Sequence, residues 1–198
     1  MLRGDFMKIC VYGASSFKID PSYIEAGEKL GELMAKNGHS LIFGGGANGL
    51  MGAAARGVHK GKGKIVGISP ELFNVDGVLF EQCEEMIYTK TMRERKKLLE
   101  EMSDAYVITP GGIGTFDEFF EILTLKQLGY HNKPICIMNT NGYYDKLLEF
   151  LDVAMKSEFI KANCSKLYKV VNTPEEVIEY IENYEGEVYN LDELKNVK

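Results

Sequence analysis

The sequence predicts an α/β fold: a doubly wound parallel sheet with helices on both faces, in a single domain over residues 1–198. Three observations predict it. Short apolar runs alternate with longer stretches of helical periodicity along most of the chain. Short turns, several rich in glycine, join them. A chain of 198 residues, 45% apolar and undivided by any Pro/Gly/Ser-rich linker, is long enough to bury one sizeable core.

Residues 8–12 form the first strand, ending at Gly13. A helix over 21–37 follows, in which Ile24, Leu30, Leu33 and Met34 recur at helical spacing, Pro21 suits the first turn and Gly38 the stop. The unit repeats: strand 40–43, the glycine turn 44–49, a small-residue helix over 50–59 and strand 64–68. Residues 70–90 are acidic and irregular, a loop with an edge strand near 86–88. In the helix over 91–102, Met92, Leu99 and Met102 share a stripe with Arg95. An arginine among core positions must be paired or line a pocket, because an unpaired buried charge is too costly. Strand 105–108 leads through a turn into an apolar helix over 116–128, and strand 134–138 into a helix over 143–155. An apolar stretch, 167–171, precedes a last helix over 174–184. Residues 1–6 and 185–198 read as peripheral tails, the second frayed or laid over a neighbouring subunit, and Met7 is a possible alternative start.

Composition removes several classes. A net charge of −6 argues against a general nucleic-acid binder, which needs a basic face. No apolar run reaches the roughly 18–20 residues of a membrane span, and residues 1–6 are too polar and short for a signal peptide. Cys10, Cys83, Cys136 and Cys164 form no CxxC pair, and His39, His59 and His131 have no partner at metal-ligand spacing, so no metal is expected. The expected compartment is the reducing cytoplasm. Neither a GxSxG elbow nor a GxxxxGK[ST] phosphate loop is present, which removes serine hydrolases and nucleoside triphosphatases.

Two glycine turns remain. In a parallel sheet, ligands bind outside the carboxyl ends of the strands, where Ser15, the 44–49 turn with Gly45 and Gly46, and the 111–115 turn gather. Gly44-x-Gly46-x-x-Gly49 matches the dinucleotide fingerprint but stands at the second strand-helix joint; phosphate binding without hydride transfer and a plain tight turn compete with that reading. In Thr109-Pro110-Gly111-Gly112-Ile113-Gly114-Thr115-Phe116-Asp117-Glu118, glycines and free helix-start amides suit a phosphate. Its rival is a capping box, Thr115 capping the helix while Glu118 reaches back. Helical phase sets Glu118 between Ile122 and Leu125 on an apolar face, so a cation must offset its charge, and Arg95 is the natural partner. Glu121 and Lys96 lie close by, each equally readable as solvated surface.

These motifs resemble the LOG family, the cytokinin riboside 5'-monophosphate phosphoribohydrolases, often labelled lysine decarboxylases. The pattern PGGxGTxxE stands at residues 110–118, GGGxxGLMG at 44–52 and Met-x-x-Arg-Lys at 92–96; Gly142-Tyr143-Tyr144 is also similar. The resemblance spans roughly residues 7–182. It implies a Rossmann-like sheet, a homodimer with its site near the interface, and hydrolysis of a nucleoside 5'-monophosphate, AMP or a cytokinin riboside 5'-monophosphate, to base and ribose 5-phosphate. It implies Glu118 and Arg95 as the catalytic pair and Gly111, Gly112, Gly114 and Thr115 on the phosphate. Gly45, Gly46, Met92, Lys96, Ser15 and Glu121 complete the expected substrate contacts, Glu121 as a possible second carboxylate by analogy with O-glycosidases. No cofactor is expected, and no motif sets up a lysine for a Schiff base. Arg93 stands where a histidine is common. A carrier or sensor binding a nucleotide or cofactor on the same fold is the alternative; it would need the glycine loops but neither Glu118 nor Arg95.

Overall fold

The computed structural model describes residues 6–186 and 189–195; residues 1–5 of the predicted N-terminal tail at 1–6, and residues 187–188 and 196–198 of the predicted C-terminal tail, lie outside them. Seven parallel strands form one sheet. They are β1 (Lys8–Tyr12), β2 (Ser40–Phe43), β3 (Ile65–Pro70), β4 (Glu85–Thr89), β5 (Ala105–Ile108), β6 (Ile135–Met138) and β7 (Lys169–Val171), in the order β4-β3-β2-β1-β5-β6-β7. The predicted edge strand is β4. The helices are α1 (Pro21–Lys36), α2 (Gly49–Lys60), α3 (Met92–Glu101), α4 (Ile113–Gln127), α5 (Asp145–Lys156), α6 (Pro174–Glu182) and α7 (Leu191–Leu194).

Strand alternation sorts the core. Ile9 and Val11 of β1 join Leu30 and Met34 of α1, Ala54 and Val58 of α2, and Val177 and Ile181 of α6 on one face. Cys10 and Tyr12 join Leu99 of α3, Phe119 and Ile122 of α4, and Tyr144 on the other. Both faces are therefore covered, which is why the central strands read as unbroken apolar runs rather than alternating ones. No helix of the described residues is long and apolar enough to cross a membrane.

The chain winds outward from β1 to β4, then returns to lay β5 on the other side of β1. That reversal opens a crevice between the loops after β1 and β5, the usual ligand position in such sheets.

Several predicted boundaries shift by a residue or two, and two helix starts bear on the site. α4 begins at Ile113, not at Phe116, with Gly112 as its N-cap. α5 begins at Asp145 because a 3-10 turn, Thr140–Gly142, precedes it and Gly142 takes a positive φ of 69°. The C-terminal tail is not frayed over residues 189–195. Leu194 of α7 is buried against Cys164 and Leu167, and its carbonyl accepts from Gln127 Nε2 at 2.8 Å.

Candidate active site

α3 starts with a closed capping box. Thr91 Oγ1 accepts from the Glu94 amide at 3.1 Å, while Glu94 Oε2 accepts from the amides of Lys90 (2.9 Å) and Thr91 (3.3 Å). One residue further on, Arg95 turns inward beneath the end of β3. Its Nε donates to the Ile68 carbonyl at 3.2 Å and its Nη1 to Glu118 Oε1 at 2.6 Å. Nη2 lies against Gly44, where any Cβ would collide with it. Gly44 is thus glycine because the guanidinium needs the space.

Arg95 and Glu118 are each 7% exposed, as the charged members of two apolar faces. Burial raises the Glu118 carboxyl above its ordinary value of 4.5, and the opposing attraction and hydrogen bond of Arg95 offset this only in part. The result is a desolvated carboxylate with one oxygen held by arginine and the other left for a substrate or water.

The Thr115-x-x-Glu118 pattern is not a capping box. With α4 starting at Ile113, Thr115 is the third helical residue and Glu118 lies a turn further along, its carboxylate on Arg95. Gly112 offers no side-chain cap, so the first amides of α4 keep their hydrogen-bonding capacity where the helix dipole favours an anion. A Cβ on Gly112 or Gly114 would meet nothing within 4 Å, so the chain's own packing does not explain these glycines.

These groups border a cleft of about 610 Å³. Its wall comes from the loop after β1 (Gly13 to Phe17), the loop after β2 (Gly44, Gly46, Asn48), Ser69 at the end of β3 and the start of α4. Of the predicted residues, Ser15, Gly46, Met92, Arg95, Gly112, Gly114, Thr115 and Glu118 line it. Met92, expected in an apolar stripe, is 44% exposed at the cleft.

Gly45, Gly111, Lys96 and Glu121 do not line it. Gly45 faces Leu79 and Met86, and its carbonyl accepts from the Phe80 amide at 2.8 Å. Gly111 packs behind the rim against Thr115 and the Ala14 amide. Lys96 bridges α3 to α4 on the outside, 2.9 Å from Glu121 and 3.0 Å from Asp117. Burial disfavours its charge, but these two carboxylates outweigh that and hold the ammonium above its ordinary range. The same lysine holds both carboxylates, and of the two only Asp117 lines the cleft beside Glu118.

The sequence reading missed Ser69, Asp117 and an apolar wall of Phe17, Phe73, Val78 and Leu79. Backbone bonds from the Ala47 amide to the Val78 carbonyl (3.0 Å) and from the Phe80 amide to Gly45 tie part of the acidic loop to the glycine turn. No periodic signal announces this. The histidines stay outside: His39 is buried between Met7 and Glu182, and burial pushes His131 down to about 4.

A family model described as "Possible lysine decarboxylase" matches residues 51–181. The probable cytokinin riboside 5'-monophosphate phosphoribohydrolase LOGL6 of Oryza sativa subsp. japonica is 36% identical over 93% of this chain and 74% of its own length. The corresponding LOG7 enzyme of Arabidopsis thaliana is 35% identical over 93% of this chain and 85% of its own. Among solved structures, the molybdenum cofactor binding protein of Rippkaea orientalis aligns with a TM-score of 0.67 at 21% identity, over 92% of this chain and 98% of that one. It shares the fold.

Proposed function

This chain belongs to the LOG family of cytokinin riboside 5'-monophosphate phosphoribohydrolases, and on that premise we propose that it hydrolyses the N-glycosidic bond of a nucleoside 5'-monophosphate. The substrates are AMP and cytokinin riboside 5'-monophosphates, and the products are the free base and ribose 5-phosphate. The observation that carries this is the buried Arg95–Glu118 pair, 2.6 Å apart, on the wall of a cleft that also holds the uncapped start of α4.

The amides at Gly112 to Thr115 take the phosphate, and that remote binding energy fixes the ribose over Glu118. As the bond from C1' to the base nitrogen breaks, its electron pair leaves with the base and positive charge develops on the sugar. The Glu118 carboxylate stabilises that charge and accepts a proton from the water whose oxygen bonds to C1'; solvent supplies the proton that neutralises the departing base, and Glu118 returns its own to solvent. Arg95 aims the carboxylate and favours its ionised form. The apolar wall of Phe73, Val78 and the half-buried Leu79 suits a base, including one with an apolar substituent.

The decarboxylase description implies pyridoxal phosphate, and the cleft does not fit it. No lysine stands among the described residues that line the cleft, so none is set to form the Schiff base. A carrier on this fold would need the glycine loops but neither Glu118 nor Arg95, so their buried pairing supports the enzyme. We further propose a cytoplasmic homodimer; the four free cysteines, three of them buried, suit a reducing compartment.

The test is incubation with AMP and with an N6-isopentenyl analogue, followed by detection of free base and ribose 5-phosphate. Release from either supports the enzyme. Tight binding with no turnover of either transfers the site to the carrier reading. Sedimentation at micromolar concentration that shows only a 22.2 kDa species would remove the dimer.

A further inference from the structure

We propose that Tyr143 is a positioning residue for the phosphate subsite, acting through the Gly111 carbonyl; this rests on the reading of the Gly112–Thr115 amides as the phosphate contact. The turn between β5 and α4 has three consecutive carbonyls, and each has a donor. The Thr109 carbonyl accepts from Tyr144 Oη at 2.7 Å, that of Pro110 from the Ala14 amide at 3.0 Å, and that of Gly111 from Tyr143 Oη at 2.7 Å.

In a trans peptide the C=O and the following N–H point in opposite directions. Holding the Gly111 carbonyl toward Tyr143 therefore turns the Gly112 amide the other way. Two glycines in succession would otherwise leave this peptide plane free to rotate. Preorganised amides bind an anion without first being reoriented, and that is what Tyr143 contributes.

Tyr143 is itself braced. Its ring meets Tyr144 edge-on at 5.0 Å and Tyr23 at 6.1 Å. The 3-10 turn before it is tied down by Asn139, whose Oδ1 accepts from the Tyr144 amide at 2.7 Å and whose Nδ2 donates to Asp145 at 2.7 Å. Asn141 Nδ2 donates to Ser22 Oγ at 2.8 Å, anchoring the turn to α1. Neither tyrosine lines the cleft, so both act on the ligand only through the loop.

The experiment is Tyr143→Phe, which keeps the ring and deletes the donor. Calorimetric titration with ribose 5-phosphate and, separately, with adenine reads the two halves of the site independently of turnover. The expected result is a Kd for ribose 5-phosphate weakened about tenfold, the scale of one hydrogen bond, with adenine unchanged. On a hydrolysed nucleotide the same change appears in KM, with kcat nearly intact. Equal weakening of both ligands, no weakening of either, a large fall in Tm, or failure of the unsubstituted protein to bind ribose 5-phosphate each overturns the proposal. Tyr143-dependent binding without hydrolysis would instead leave it standing and reject the enzymatic reading.

Discussion

The chain writes Thr-x-x-Glu at 91–94, at 115–118 and at 173–176, and the first two copies do different things. The first closes a capping box on α3. The second, 24 positions later, sends its glutamate to Arg95 at 2.6 Å and leaves the helix start uncapped. The local pattern is equal, and the difference is where the helix begins. α3 starts just after its threonine, so Glu94 sits at the third helical position and can reach back. α4 starts two residues before its threonine, at Ile113, so Glu118 lies a turn too far along and faces the other helix. A motif that spends its side chains on its own backbone stabilises; one that leaves its amides bare can bind.

The sharpest break in that equivalence is Glu118→Gln. Turnover should fall about 10²–10⁴-fold, the range for a positioned acid-base group, and the melting temperature should fall as well, because the buried Arg95 keeps a hydrogen-bond acceptor but loses its counter-charge. Initial rates of base release and a thermal melt on the same sample check both halves. If stability falls and the surviving activity per folded molecule does not, Glu118 is a structural residue after all.

Arg95→Met tests the same contact from α3. It leaves a 7% exposed carboxylate without its partner, and removing one member of a buried pair costs about 3–5 kcal/mol of stability. The sign of the pH dependence follows. Burial already places the folded Glu118 pKa above its ordinary value, and loss of Arg95 raises it further, so the folded state holds the proton more tightly than the unfolded one. The variant should recover stability as pH falls and lose it as pH rises through that raised pKa, measurable as urea midpoints from pH 4 to 8.

Gly114→Ala separates binding from folding at the same helix start. The added methyl meets no atom within 4 Å, and alanine is the better helix former by about 0.8–1.0 kcal/mol in a helix interior, an upper bound at this second position. Stability should hold or rise slightly while KM for a nucleotide increases. An unchanged KM would remove the phosphate from this position.

Much of this was legible in advance, for identifiable reasons. β2 and β5 fall on the predicted bounds because strands covered on both faces are apolar throughout and end at glycine or polar residues. The Arg95–Glu118 contact was readable because each is a charge on an apolar helical face, and two such anomalies resolve each other. The start of α4 was not, since Gly112-Ile113-Gly114 reads as loop by propensity and winds into a helix only in its tertiary setting. That Asp117 rather than Glu121 lines the cleft was hidden with it, since Asp117 lies about one turn nearer that helix start. The apolar wall at 73–79 comes from a loop with no pattern at all.

The smallest expected effect compares adjacent residues, Arg95 and Lys96, which hold the same two helices from inside and outside. Lys96 lowers the Glu118 pKa through space without touching it. Its own contacts are surface pairs, worth about 0–1 kcal/mol, so Lys96→Met should leave stability and neutral-pH turnover nearly unchanged. The acid limb of kcat/KM should still move. Glu118 must be ionised to act, its pKa is already raised by burial, and removing a nearby cation raises it again, so activity should fail at a higher pH on acidification than in the unsubstituted protein. A limb that stays fixed while the profile is otherwise intact would mean that the group titrating there is not Glu118.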